Sequence, residues 1–111
     1  MGSEDKRRVP RFTMDQMVEL SYEKEEFVSA SGVNVSELGV MCRTARSLDE
    51  GARVFLMFSL VCPDCESTIQ CEGIVIHCKK TSDGYNIGIE FSDLKPADHE
   101  TILTYSKFVQ H

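Results

Sequence analysis

Two short segments of this 111-residue chain carry groups suited to holding a small anion. Arg7-Arg8-Val9-Pro10-Arg11 sets Arg7 and Arg11 one either side of a proline-stiffened stretch. Each guanidinium can take a phosphate, or the O6/N7 edge of a guanine, through two parallel N–H donors. Its plane can also stack on a base. Pro10 fixes one backbone angle and biases Val9 toward an extended form, which presents the arginines at lower entropy cost than a floppy tail would. Further along, Asn34-Val35-Ser36-Glu37-Leu38-Gly39 places an amide, a hydroxyl and a glycine at fixed steps. In an extended chain Asn34 and Ser36 share a direction while Val35 turns away. Gly39 admits a special backbone angle or the close approach of a ligand. Charge and planar donors in one segment, neutral polar groups and open backbone in the other, together suit a nucleotide. Neither supplies bond-making chemistry. The chain offers no Ser/His/Asp set, no paired carboxylates and no Gly-rich phosphate loop, so catalysis is not expected.

Taken singly, each segment has a plainer reading. Basic residues near a terminus are usually a solvated face, and Asn, Ser and Gly simply make turns. Their order and combination, ahead of a run of strands, give them weight.

Those strands must position the two segments. Period-two patterning predicts strands over Met17–Tyr22, Phe27–Ala30, Leu38–Arg43, Arg53–Val61, Ile69–Lys79 and Gly84–Phe91. In the last, Tyr85, Ile87, Ile89 and Phe91 fall on one face and Asn86, Gly88 and Glu90 on the other, as in a half-buried antiparallel strand. Asp49-Glu50-Gly51 and Ser82-Asp83-Gly84 read as turns, the second as a hairpin. Pro96 can open a helix, and Asp98 and Glu100 favour its first turn. Ile102, Tyr105 and Val109, widened by Leu103 and Phe108, make an apolar stripe, so an amphipathic helix is expected over about 96–109. It could cover an open sheet edge. The expected organisation is a flexible arm over 1–13, then a small barrel with a C-terminal helix over 14–111.

The hydrophobic fraction is 41%, enough for one modest core. Net charge is −6, unevenly spread. Residues 1–13 hold four basic and two acidic groups, +2, and the rest holds 8 basic against 16 acidic, −8. An acidic body argues against a DNA or RNA polymer as partner, since that affinity comes from neutralising many phosphates. No run is long enough for a membrane helix, and the first residues lack the apolar core of a signal peptide, so a cytoplasmic protein with no membrane insertion is expected.

Five cysteines is an odd number, and no disulfide framework is expected. Cys62-Pro63-Asp64-Cys65 is a CxxC, with Cys71, His77 and Cys78 downstream. Such ligands could hold zinc, but no second CxxC follows. A hairpin loop with free thiols is the preferred reading, and no metal or other cofactor is expected. A small zinc or redox protein using Cys62 and Cys65 is the alternative. Cys42 reads as packing. His99 and His111 read as lone surface histidines, and Glu19, Glu90 and Asp93 as solvent-facing or turn groups.

The two segments together resemble the PilZ domain family, bacterial receptors for the second messenger cyclic di-GMP. The family pattern is RxxxR near the start, met by Arg7 and Arg11, then (D/N)xSxxG, met by Asn34, Ser36 and Gly39. Leu48-Asp49-Glu50-Gly51, Gly73-Ile74-Val75 and Tyr85-Asn86-Ile87-Gly88-Ile89-Glu90-Phe91 look like its later strand signatures, so the resemblance spans nearly the whole chain. It implies an all-β fold with one helix: a six-stranded antiparallel barrel plus a C-terminal helix. It also implies that Arg7 and Arg11 bind guanine edges and phosphates, that Asn34 and Ser36 bond a guanine or phosphate, and that Gly39 keeps the approach clear. Arg8 is a further contact that the pattern does not require. Lys6, just before RxxxR, is the position that influences whether one ligand or a stacked pair is held. The implied function is a second-messenger receptor whose arm orders on the ligand and alters contact with a protein effector. The alternative within the family is an interaction module that binds no nucleotide.

Overall fold

The computed structural model describes residues 12–13, 17–22, 26–62 and 65–109. Seven strands and one helix follow in chain order: β1 (Phe12–Thr13), β2 (Met17–Tyr22), β3 (Glu26–Val35), β4 (Gly39–Thr44), β5 (Arg53–Cys62), β6 (Cys65–Thr81), β7 (Gly84–Phe91) and α1 (Pro96–Val109). All pairings are antiparallel. The sheet runs β1-β3-β2-β5-β6-β7-β4 and closes through a further β3–β4 pairing. β1 and β2 lie along the same side of β3, β2 opposite Glu26–Ser31 and β1 opposite Asn34–Val35. They serve as two halves of one barrel strand, so the closed ring is six-stranded.

Alternation builds the core. Val18 and Leu20 of β2, Val54, Leu56, Phe58 and Leu60 of β5, and Ile87 and Ile89 of β7 are buried, while Glu19, Phe55, Met57 and Glu90 face out. Ile102 and Tyr105 of α1 join this core, and the helix lies against β5 and β1. Because the ring is closed, α1 has no open edge among these strands to cover. Ile102 and Tyr105 of its stripe are buried inward instead. Among the described residues no helix is long and apolar enough to cross a membrane.

Two bulges interrupt the alternation. In β3, Gly32 pairs with Cys42 and Asn34 with Met41, leaving Val33 as the extra residue. In β6, Val75 pairs with Ile89 and His77 with Gly88, leaving Ile76 extra and exposed. An added residue flips the faces that follow it. Ala30 thus faces in on one side of the first bulge and Val35 on the other.

Candidate ligand-binding site

The Val33 bulge decides how the Asn34–Gly39 stretch is presented. With Val35 wholly buried, Asn34 takes the outer face, half-buried, across from Met41. β3 then ends, and residues 36–38 turn into β4. The Ser36 N–H donates to the Gly39 carbonyl at 2.9 Å, closing the hairpin. The Ser36 Oγ accepts the Leu38 N–H at 3.1 Å, a local turn of the kind serine favours. The Leu38 carbonyl in turn accepts the Phe91 N–H at 2.9 Å, tying the loop to the end of β7. Ser36 is 2% exposed, so its hydroxyl is first of all a structural acceptor that holds the loop.

Gly39 has a reason of its own to be glycine. A Cβ there would collide with the Ile89 carbonyl oxygen and stand 3.1 Å from the Glu90 Cα. Close approach of β4 to β7 therefore excludes a side chain whether or not a ligand is present.

Register draws other residues around Asn34. On the outer face one row runs from Asn34 through Met41 and Gly88 to His77. The His77 ring lies over Gly88, where any Cβ would meet it. The neighbouring row runs Ser31, Arg43, Asn86, Lys79. Within it the Arg43 Nε donates to the Asn86 Oδ1 at 3.2 Å. On the far side of the loop, His99 of α1 lies 3.0 Å from Glu37. A cleft of about 510 Å³ opens between loop and helix, lined by Glu37, Leu38, Phe91, Leu94 and His99 among others.

Of the expected site residues, Asn34, Ser36 and Gly39 are thus gathered on one hairpin. Lys6, Arg7, Arg8 and Arg11 lie outside the described residues. Arg11 is nonetheless bonded directly to Phe12, which pairs with Val35, while Thr13 pairs with Asn34. β1, the strand that follows the RxxxR segment, therefore sits beside the NxSxxG hairpin. His99 is not the lone surface histidine that its place in the tail suggested, because α1 folds back over the loop and meets Glu37. His111 lies outside the described residues.

The cysteines separate. Cys62 pairs with Cys65 across the β5–β6 hairpin. Cys71 is buried in the core opposite Leu56. It stands six residue steps along β6 from Cys65, roughly 20 Å at strand rise, too far to share an ion. Among the described residues no group of three potential ligands converges on a metal position. Burial pushes the Cys42 thiol up to about 12. Burial, helped by Asp98 and Asp93, pushes Cys71 up to about 11. Both are packing groups rather than nucleophiles at neutral pH.

The chain is thus a closed six-stranded antiparallel barrel with one C-terminal helix, in which the Asn34–Gly39 hairpin lies beside β1. Residues 5–108 match the PilZ domain family model, and the chain belongs to that family of cyclic di-GMP receptors. No curated protein matches it in sequence. Among solved structures it is similar to the Bacillus subtilis inhibitor of motility, MotI/DgrA, with TM-score 0.83 and 21% identity over 94% of this chain and 51% of that one. The chain therefore spans about half the length of that relative. It is also similar to the PilZ domain of YcgR from Escherichia coli, solved with c-di-GMP, with TM-score 0.73 and 10% identity over 95% of this chain and 92% of that one. At these identities the two likenesses speak for the fold.

Proposed function

We propose that this chain is a non-catalytic receptor for cyclic di-GMP. The observation that carries the reading is the pairing of Phe12 with Val35 and Thr13 with Asn34, which sets the strand that follows the RxxxR segment beside the NxSxxG hairpin. Family membership and a fold-neighbour solved with c-di-GMP support the choice of ligand. Asn34 and Ser36 form the fixed half of the site, and Arg7 and Arg11 the closing half, with Arg8 as an added contact. Lys6, long and cationic, leaves room for a second stacked dinucleotide where a bulky apolar group would not.

The ligand acts by ordering the arm. Charge-assisted bonds from Arg7 and Arg11 to phosphates and guanine edges draw residues 1–11 over the hairpin and change the surface shown to a protein effector. The acidic body disfavours a nucleic-acid polymer in the same place. Titration calorimetry with cyclic di-GMP tests the reading. Tight binding is expected, and it is expected to be lost in the Arg7→Ala, Arg11→Ala double variant. Unchanged affinity in that variant rejects the site. No binding by the natural chain at high ligand concentration favours the interaction module instead.

A further inference from the structure

We propose that Arg43 is a ligand-gripping cation borne by the barrel itself, oriented by Asn86, and that it takes a phosphodiester oxygen of the dinucleotide. The inference rests on the receptor reading above and adds a residue that neither sequence segment contains.

Arg43 is placed for the role by register. Asn34 pairs with Met41, so Arg43 lies two residues along β4 on the same outer face, diagonal to Asn34. Diagonal neighbours in an antiparallel pair stand about 7–8 Å apart, within reach of a long side chain. That spacing suits one small ligand touching both residues, with a base edge at the amide and a phosphate at the cation.

It is also prepared for the role. The guanidinium is held through Nε by the Asn86 Oδ1 at 3.2 Å. Among the described residues it has no carboxylate partner, although the body of the chain is strongly acidic. One nitrogen is fixed by a neutral amide, and the two terminal nitrogens keep the fork that matches a phosphate. Fixing the side chain beforehand lowers the entropy lost on binding. Lys79 flanks Asn86 from the opposite strand, so cations stand on both sides of this amide with no acid in the row. A surface arginine held only for stability would be expected to face one of the many acids instead.

The experiment is calorimetry of the full chain with cyclic di-GMP for natural protein, Arg43→Ala, Arg43→Lys, Asn86→Ala and the Arg43→Ala, Asn86→Ala pair. Arg43→Ala should weaken binding about tenfold or more, as for loss of a hydrogen bond to a charged group. Arg43→Lys should recover only part of that, since a point charge replaces the fork. Asn86→Ala should cost a few-fold alone and nothing further once Arg43 is gone, because Asn86 acts through Arg43. Lys107→Ala, on the exposed face of α1, serves as the neutral control. Arg43 is exposed, so its variants should melt like the natural protein, which separates lost contact from lost fold. Arg43→Ala binding within twofold of a natural chain that does bind overturns the proposal and leaves the receptor reading standing. A natural chain that does not bind overturns both.

Discussion

The His99 Nε2 lies 3.0 Å from the Glu37 Oε1, joining the first turn of α1 to the middle of the Asn34–Gly39 stretch. The pair is ionic only when the imidazole is protonated, and its side chains are 41% and 34% exposed. Water screens such a contact, so it adjusts the loop rather than holding it. The holding is done by the backbone bonds from Ser36 to Gly39 and from Phe91 to Leu38. His99→Ala should therefore lower stability by no more than about 1 kcal/mol. Urea denaturation measures this, and a loss well beyond that range would mean that the helix, not the backbone, fixes the loop.

Gly39 and Gly88 look alike in sequence and should respond differently. At Gly39 an added Cβ meets the backbone of Ile89 and Glu90, which cannot move without parting β4 from β7. Gly39→Ala should destabilise the ligand-free protein by about 2 kcal/mol or more. At Gly88 the Cβ meets the His77 ring, a half-exposed side chain able to rotate away. Gly88→Ala should cost less than about 1 kcal/mol. Chemical denaturation of the two variants without nucleotide compares them directly.

The buried thiols make stability fall in alkali. Cys42 and Cys71 stay protonated in the fold up to about 12 and about 11, whereas thiols of an unfolded chain ionise near 8.5. The folded state then binds more protons than the unfolded one. The stabilisation is complete below the unfolded value and is lost as pH rises toward the folded values. Urea midpoints should decline from about pH 9 upward, less steeply in Cys42→Ala, though that variant starts lower because of its cavity. At about pH 8, a thiol-specific disulfide reagent should label both cysteines much more slowly in the native protein than in guanidinium chloride.

A truncated core residue gives the scale against which these effects stand. Ile87 is fully buried between β4 and β6, paired with Cys42 and Cys78. Ile87→Ala should cost about 2–5 kcal/mol. A smaller loss by thermal or urea melting would mean that the barrel collapses into the space left behind.

Much of this architecture was legible in the alternation of single strands. Ile87 and Ile89 are buried on the face that the Tyr85 to Phe91 pattern predicts, and Pro96 opens the helix where expected. Relationships between strands were not legible. The bulges at Val33 and Ile76 leave local composition ordinary, yet they set Asn34 against Met41 and His77 against Gly88. Without that register nothing distinguishes Arg43 from any exposed arginine. The expected strand over Phe27–Ala30 runs on to Val35, because Ser31 and Gly32, turn formers by type, gain partners in Arg43 and Cys42. Glu37 and His99 are 62 positions apart, and only the return of α1 over the hairpin brings them together.

The short pairing of Phe12–Thr13 with Asn34–Val35 would make the proposed arm closure an intramolecular event. Arg7 stands five residues before Phe12, a leash of at most about 18 Å. In the proposed clamp its guanidinium would meet the ligand at an effective concentration on the order of millimolar, independent of how dilute the protein is. A chain lacking residues 1–11 should bind cyclic di-GMP poorly, and a free peptide of those residues should restore binding only near that concentration. Calorimetry with and without the peptide reads the difference. A receptor working as proposed has its sensitivity tuned by the length of a tether, and inserting residues between Arg11 and Phe12 would detune it while leaving every contacting group in place.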